Sequence, residues 1–484
     1  MGISRSSVVT NFIWRFLERC GAQGVSFVLS IILARLLTPE DYGILPLVTV
    51  FTAILQVFID SGFANALIQK KDADDIDFST VFYFNTVMCI GLYLVMFFAA
   101  PYIAKFYNMP ELTAVVRVLS LSLIISGIKN VQQAYVSRNM MFKKFFFATL
   151  GGTIGAAVIG IVMAYMGFGV WALVAQMLFN TTVDTIILWT TVKWRPKLVF
   201  SLKRLRGLFS FGWKLLASNI INTIYQKIRS LIIGKMYTTA DLAYYGKGEH
   251  FPAFINSNIN TSIQSVLFPA MSNVQDEKEQ IKAVTRRSIK TSTYIIYPIM
   301  AGLAVIAEPL IRLLLTEKWL PSVPYLRLAC IIYAFTPIHT ANLQAIKAIG
   351  RSDVFLKIEI IKKIVGITTI VFSIPHGVFI LAFSGVVNSV IFSAINAGPN
   401  KKLLNYGYIE QIKDILPAGL CSGVMCLVVW LVGFLNINYI LLMLMQIITG
   451  AIVYISLSII FKLDSFIYIR GILKELFCEK NKEI

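Results

Sequence analysis

The sequence predicts an all-α integral membrane protein with about fourteen transmembrane helices, in two pseudo-symmetric bundles of six helices followed by two C-terminal helices. Three observations support this fold class: the apolar composition, the length of the apolar segments, and the recurrence of short motifs. Hydrophobic residues make up 57% of the 484 residues, and charged residues only 14%. A soluble protein of this length could not bury so much apolar surface, so we assign the chain to a membrane.

Fourteen apolar segments follow one another along the chain, and each has about the 20 residues that a helix needs to cross a bilayer. Proline and glycine between the segments support the divisions, as in Thr-Pro-Glu-Asp at 38–41 and Gly-Pro at 398–399. The predicted segments are 12–36, 44–68, 79–104, 112–136, 145–166, 169–192, 208–234, 242–270, 291–308, 323–346, 354–375, 377–397, 415–435 and 437–461.

Lysine and arginine are concentrated in alternate connections between these segments. The basic set includes the stretches 193–206 and 278–287, the connection 401–413 and the C-terminal tail. The positive-inside rule therefore predicts that this side of the protein and both termini face the cytoplasm. The same bias explains the formal net charge of +19 without a nucleic-acid partner.

The sequence gives little indication of catalysis or of a bound cofactor. The six cysteines are scattered without a CxxC pair, only three histidines occur, and there is no Walker-type phosphate loop. The predicted external connections are short, which leaves little room for the catalytic acids of a membrane glycosyltransferase or polysaccharide polymerase. We expect neither an enzyme nor a cofactor or metal site.

Short motifs recur in the same order in the two halves of the chain. Arg-Leu-Leu-Thr-Pro-Glu-Asp at 35–41 corresponds to Lys-Met-Tyr-Thr-Thr-Ala-Asp at 235–241, and Gly-Val-Trp-Ala-Leu at 169–173 corresponds to Gly-Val-Phe-Ile-Leu at 377–381. Because six is an even number, both copies enter the membrane from the same side, as in transporters whose substrate site lies between two parallel repeats. We expect an N-terminal lobe over 1–200, a C-terminal lobe over 201–405, and two further helices with a cytoplasmic tail over 406–484.

The stretch SIILARLLTPEDYG at 30–43, followed by DSGFANALIQKKD at 60–72, resembles the polysaccharide transporters of the MOP exporter superfamily. The resemblance is to the Wzx-type flippases, such as the colanic acid and teichuronic acid exporters. It implies a MATE-like fold and alternating-access export of undecaprenyl diphosphate-linked oligosaccharide to the outer leaflet of the bacterial cytoplasmic membrane. It also implies a role in exopolysaccharide or lipopolysaccharide assembly, with a polysaccharide polymerase or export machinery as a candidate partner. Within the motif, Thr38 is expected to cap the second helix.

Charged residues in the first segment suit such an anionic lipid. Arg15 and Arg19 are four residues apart and share one helix face, where guanidinium groups would bind a diphosphate bidentately. Glu18 lies beside them and would hold one guanidinium while the cavity is empty. The repeat places Lys214 of the seventh segment opposite Arg15, so cations would line both walls.

These cations also have structural interpretations. Arg15 and Lys214, each beside a tryptophan, suit interface anchors, and Arg19 suits a structural pair with Glu18. Three further cations, Lys129, Lys227 and Arg229, are candidates for the cavity or for snorkelling to the interface.

Other polar residues are candidates for sugar contact, for gating or for ion coupling. Asn256, Asn260 and Gln264 make the eighth segment too polar for lipid contact, so we expect a sugar-facing cavity wall or, alternatively, interhelical hydrogen bonds. Glu249 opens that segment and is a candidate for an outer gate or a solvated loop. Asp60 and Asp184 are candidates for ion or proton coupling, and Asp60 alternatively for a helix terminus.

Two rival functions remain open at this point. A lipid II flippase would require the same cationic cavity. A MATE-type multidrug or cation antiporter would instead show more buried carboxylates than cations, and the first and seventh segments show the reverse.

Overall fold

The computed structural model describes residues 5–60, 63–70, 72–272, 274, 277–435 and 437–480. The secondary structure of this described part consists of helices joined by short connections, and no β-strand occurs in it. The predicted all-α class is therefore confirmed.

The described residues from 5 to 272 form ten helices. Their order follows the predicted segments, with α5 and α6 dividing one segment at Ser120. They are α1 (Arg5–Leu36), α2 (Pro39–Asp60), α3 (Phe63–Gln69), α4 (Asp75–Tyr107), α5 (Leu112–Leu119), α6 (Leu121–Arg138), α7 (Phe142–Tyr165), α8 (Val170–Thr191), α9 (Leu202–Met236) and α10 (Thr239–Ser272).

The described residues from 277 to 480 form nine α-helices and two short 3₁₀ helices. They are α11 (Lys278–Val305), α12 (Ala307–Leu315), η1 (Glu317–Ser322), α13 (Val323–Ala334), α14 (Thr336–Ala348), α15 (Ser352–Ser373), η2 (Ile374–His376), α16 (Gly377–Leu404), α17 (Tyr408–Val432), α18 (Tyr439–Ile460) and α19 (Asp464–Lys480).

Eight helical stretches of the described chain are long and apolar enough to cross a membrane, and α11 with α12 would make a ninth if this pair, bent by 68°, is one span. The stretch 352–404 counts once among the eight although it contains both α15 and α16. The basic stretch 278–287 differs from the expected loop, because it forms the first turns of α11. These results support a multi-pass membrane protein, while the number fourteen stays a prediction.

The chain divides into two compact units, Met1–Ala243 and Tyr244–Ile484. The division falls just after the start of α10, whereas the lobe boundaries near 200 and 405 were expected from the sequence repeat and stay predictions.

In the first unit, α7 packs against both α1 and α8. A glycine makes the second contact close: a Cβ atom added at Gly152 would lie 2.9 Å from Oδ1 of Asn180. Small residues allow membrane helices to approach in this way. The approach fixes α8, and with it Asp184, one helical turn beyond Asn180.

The repeated motif forms the same cap twice. The backbone N–H of Asp41 donates to Oγ1 of Thr38 at 3.2 Å, and that of Asp241 donates to Oγ1 of Thr238 at 3.1 Å. Each threonine hydroxyl in turn donates to the aspartate of its own motif, at 2.9 and 2.7 Å. The expected capping by Thr38 is confirmed, and α2 and α10 begin with the same local structure.

The last residue of the motif, Gly43, serves packing. A Cβ atom at this buried position would overlap with the carbonyl oxygen of Thr239 at the start of α10. The glycine therefore allows two backbones in the first unit to touch.

In the second unit, α11 packs against α17 and α13. Amide side chains form a buried network beside it, in which Asn342 of α14 donates to Gln411 at 2.8 Å and Asn400 of α16 donates to Asn342 at 2.6 Å. Gln411 also donates to Asn342, at 2.9 Å. Mutual hydrogen bonds satisfy groups that would otherwise be costly to bury, so the network holds α14, α16 and α17 together.

Candidate functional site

The predicted phosphate-binding cations belong to two helices, α1 and α9. The backbones of Arg15, Glu18 and Arg19 belong to α1 and that of Lys214 to α9, but their side chains lie outside the described part of the structure. The neighbouring Trp14 ring packs edge-on against Phe146 of α7, with ring centroids 5.3 Å apart.

A buried ion pair joins α6 to α8. Nζ of Lys129 donates to Oδ2 of Asp184 at 3.0 Å, and the two side chains are 17% and 12% exposed. The structure therefore brings together a predicted cavity cation and a predicted coupling carboxylate. An unpaired charge would be costly at these mostly buried positions. The ion pair neutralises both side chains in this conformation.

Asp60, at the last residue of α2, lies near this pair. Its Oδ1 accepts from Nδ2 of Asn130 at 3.3 Å and from Nε2 of Gln56 at 3.2 Å. Asn130 follows Lys129 directly on α6, so two carboxylates and one ammonium group lie around one short stretch of this helix. Such a group of charges suits the binding of a proton or a small cation.

Lys227 and Arg229 both lie in the last third of α9 and are half-buried. Since they are two residues apart, they project from different faces of the helix. Their assignment to a cavity stays a prediction.

The polar residues of α10 divide between two faces. Asn256 is buried, and its Oδ1 has no hydrogen-bond partner among the described residues. Asn260 accepts a hydrogen bond of 2.7 Å from Thr340 of α14, which favours the interhelical interpretation for this residue. Gln264 lies one turn further along the same face, is exposed, and accepts from the amide of Gln344 of α14 at 3.5 Å. A second face is exposed and comprises Ser257, Asn258, Thr261 and Ser262.

Glu249 is part of a packed cluster. Its carboxylate accepts from the Tyr245 hydroxyl at 2.9 Å. Nearby, Lys247 is only 6% exposed and its ammonium group lies 5.7 Å from the centre of the Trp319 ring. The alternative of a solvated loop is wrong here, because these residues lie within α10 and pack against η1 and α13.

A cluster of ion pairs that the sequence did not suggest lies at the start of α4. Asp74 caps this helix by accepting from the N–H groups of Ile76 and Asp77 at 3.1 and 3.0 Å. The fully buried carboxylate of Asp77 pairs with Lys70 at 2.6 Å and with Arg204 at 3.3 Å. Since Arg204 also pairs with Asp74, the cluster ties the start of α9 to the start of α4.

The hydrogen bond from Arg204 lowers the pKa of Asp74 to about 2. The signal for this cluster was the spacing of Asp74 and Asp77, which is that of a capping box. Arg204 lies in the basic stretch 193–206, which indicates membrane topology and does not by itself predict an ion pair with α4.

The comparisons with known proteins point in one direction. The model of the family described as "Polysaccharide biosynthesis protein" matches residues 32–324, more than half of the chain. The succinoglycan biosynthesis transport protein ExoT of Rhizobium meliloti is 26% identical over 73% of this chain and 71% of its own length. The lipopolysaccharide biosynthesis protein WzxC of Escherichia coli is 23% identical over 76% of this chain and 75% of its own.

Two solved structures share the fold. The lipid II flippase MurJ in an inward closed conformation has a TM-score of 0.75 and 16% identity, over 95% of this chain and 99% of its own. An inward-facing MATE family multidrug resistance transporter of the MOP superfamily has a TM-score of 0.62 and 14% identity, over 84% of this chain and 98% of its own. At these identities the likeness concerns the fold alone.

Proposed function

Because the chain belongs to the polysaccharide biosynthesis protein family, we propose that it is a flippase that carries undecaprenyl diphosphate-linked oligosaccharide from the cytoplasmic to the outer leaflet. The observation that carries the proposal is the family match over residues 32–324. The names of ExoT and WzxC, which refer to succinoglycan transport and lipopolysaccharide biosynthesis, support this class of cargo.

The chemistry of the cargo defines what the protein must supply. A sugar diphosphate is too polar to cross hydrocarbon, so the head group needs a hydrated path and fixed cations, while the prenyl chain stays in the lipid. We assign the phosphate contacts to Arg15, Arg19 and Lys214. The exposed polar residues of α10, Ser257, Asn258, Thr261 and Ser262, with the exposed Gln264 beside them, form the surface that we assign to the sugars.

Fourteen spans with both termini in the cytoplasm complete the proposal. The even repeat of six segments and the positive-inside rule support this topology. We place the chain in the cytoplasmic membrane of a bacterium. A polysaccharide polymerase or export machinery is the partner that we propose for it.

Coupling is assigned to the charges around α6. In the present conformation Lys129 neutralises Asp184 at 3.0 Å, and Asp60 is held by Asn130. A proton or cation that entered this group would compete with Lys129 for Asp184 and release the ammonium group. The binding of a coupling ion would thereby change the number of cations available to an anionic cargo.

Two rival functions are suggested by the solved structures that share this fold. The MurJ structure shares this fold, so lipid II is the alternative cargo, and the MATE transporter gives the antiporter alternative. Arg15 and Arg19 on α1 favour an anionic cargo over a cationic drug.

Deletion of the gene tests the proposal. We expect one surface polysaccharide to disappear while its lipid-linked precursor accumulates inside the cell, and the wild-type chain to restore export. Unchanged polysaccharide together with new sensitivity to cationic drugs would favour the antiporter.

Complementation of the deletion strain tests the phosphate role of Arg19. Arg19→Ala should leave membrane abundance nearly normal and cut export strongly, since a charge-assisted hydrogen bond of ~1.5–3 kcal/mol corresponds to a roughly ten- to hundredfold loss in head-group affinity. Arg19→Lys should recover part of the export, because lysine keeps the charge and loses the planar fork.

The structural interpretation gives a different pattern. If Arg19 only neutralises Glu18, Arg19→Ala should lower abundance, and adding Glu18→Gln should restore it. Full export by Arg19→Ala at normal abundance would contradict the assignment to a phosphate.

A further inference from the structure

An open groove of about 700 Å³ lies in the second unit among α11, α17, α18 and the start of α19. Its wall is apolar, and three of the residues along it are highly exposed: Leu416 at 50%, Leu420 at 62% and Phe461 at 65%. All three lie on α17 or just after α18, at the end where α17 starts and α18 ends. The groove is therefore a concave apolar surface that opens to the surroundings of the helices.

Two lysines stand at the mouth of the groove. Lys413 and Lys462 are both exposed, and within the described part of the chain neither forms an ion pair or a side-chain hydrogen bond. Lys413 precedes Leu416 by about one turn of α17, and Lys462 follows Phe461 directly. Each ammonium group is thus carried beside an apolar wall residue.

The acidic residues of the groove are already neutralised. Asp414 pairs with Arg286 at 2.7 Å and accepts from the Tyr406 hydroxyl at 2.8 Å, and Asp464 pairs with Lys290 at 3.0 Å. Lys290 also lies 3.5 Å from Asp414. These pairs leave the charge of both mouth lysines uncompensated, so the groove has an excess of positive charge at one end.

The backbone places one of these lysines at a local cost. Lys462 has a φ of +46°, in the left-handed region that glycine adopts most easily. Its N–H donates to the carbonyl of Ile459 at 3.2 Å, and that of Leu463 donates to Ser458 at 3.1 Å, which closes the end of α18. Glycine is the usual residue at this position of a helix end. The lysine therefore places a charged side chain where the left-handed backbone favours a residue without a side chain.

We propose that this groove binds an anionic phospholipid, with an acyl chain along Leu416, Leu420 and Phe461 and the phosphate between Lys413 and Lys462. Charge complementarity selects an anionic head group, and the apolar wall selects a molecule with a hydrocarbon chain. The lysines belong to the end of the helices that we assign to the cytoplasmic side, where anionic lipids are abundant. The proposal concerns a resident lipid and does not depend on the identity of the cargo.

Lipid titration of the purified full-length protein, followed by native mass spectrometry, tests the site. Phosphatidylglycerol should bind more tightly than phosphatidylcholine. Lys413→Gln with Lys462→Gln should weaken phosphatidylglycerol binding ~30-fold, which is about 1 kcal/mol for each lysine near a membrane surface, and should leave phosphatidylcholine binding unchanged.

A matched control carries Lys401→Gln and Lys402→Gln, two exposed lysines at the end of α16 that do not line the groove. It should bind phosphatidylglycerol like the wild type. A second variant, Leu420→Trp, changes no charge but fills the groove, and it should also weaken phosphatidylglycerol binding. Because Leu420 is exposed, this variant keeps the test open if the double lysine variant does not fold.

Four outcomes would overturn the proposal. Equal loss in the groove and control variants would show a general charge effect, and wild-type affinity in all variants would show only unspecific lipid around the helices. Displacement of phosphatidylglycerol by inorganic phosphate would assign the lysines to a free phosphate. Displacement by undecaprenyl phosphate, at a lower concentration than unlabelled phosphatidylglycerol needs, would assign them to the isoprenoid carrier.

Discussion

The ion pair of Lys129 and Asp184 gives the most quantitative prediction. The two charged atoms lie 3.0 Å apart, and the side chains of Lys129 and Asp184 are only 17% and 12% exposed. Removal of one partner therefore leaves a mostly buried, unpaired charge. The cost for fully buried pairs is about 3–5 kcal/mol, and the residual exposure places this pair near the lower end, at about 3 kcal/mol. Lys129→Met and Asp184→Asn should each lower the free energy of unfolding by that order.

The double variant should be close to the wild type, because it leaves no unpaired charge. Since each single variant should cost about 3 kcal/mol and the double variant almost nothing, the double-mutant cycle should give a coupling free energy of about 6 kcal/mol. This exceeds the ~0.5–3 kcal/mol usual for residues in contact, because each single variant also leaves a buried charge unpaired. Thermal unfolding of the purified variants and their abundance in the membrane measure it. The exposed pair of Arg351 and Asp353, with N and O 2.8 Å apart, is the control and should show a much weaker coupling, because solvent screens both charges.

Additive effects of Lys129→Met and Asp184→Asn would refute this reasoning. Normal stability of Lys129→Met together with lost export would instead assign Lys129 to the cargo rather than to Asp184.

Three further predictions concern packing, pH and topology. Gly43→Ala should strongly lower the abundance of folded protein, because the added methyl group would overlap with a backbone carbonyl. Gly91→Ala is the control and should be neutral, since no atom lies near the new Cβ. Fluorescent fusions measure the abundance of both variants, and equal abundance would contradict the packing argument. The lowered pKa of Asp74 stabilises the fold above pH ~4, and this contribution is lost as the pH falls towards about 2, so Asp74→Asn should flatten the Tm-against-pH curve in that window. Reporter fusions after Lys402 should be cytoplasmic and fusions after Gly167 external; an external signal at Lys402 would remove the fourteen-span topology.

Local sequence patterns predicted the helices well, because apolar length and capping residues act over a few residues. The caps at Thr38 and Thr238 show this, since one motif produced one geometry twice. The start of α11 was missed because its first turns are basic, and composition alone does not distinguish a charged loop from a helix that extends beyond the membrane.

The site was harder to predict, since it depends on contacts between distant parts of the chain. Lys129 and Asp184 were separate candidates, and nothing in their local sequences indicated that they pair across 55 positions. On α10, composition alone could not show that the face of Asn260 contacts α14 while the face of Ser257 is exposed, because this depends on how the helix packs.

The burial of Asp77 was missed for a similar reason. An aspartate in an acidic, exposed-looking stretch became fully buried because Lys70 and Arg204 converge on it from two other elements. Charged residues are rarely buried unless paired, and their partners here are 7 and 127 positions away.

Translocation in reconstituted vesicles tests the central claim most directly. The purified protein is placed in liposomes with a radiolabelled undecaprenyl diphosphate-linked oligosaccharide, and a membrane-impermeant glycosidase reports how much sugar reaches the opposite leaflet. The proposal predicts translocation that requires the protein and falls at least tenfold in the Arg19→Ala variant. No protein-dependent translocation of any lipid-linked oligosaccharide, with efflux of a cationic drug from the same vesicles, would contradict it.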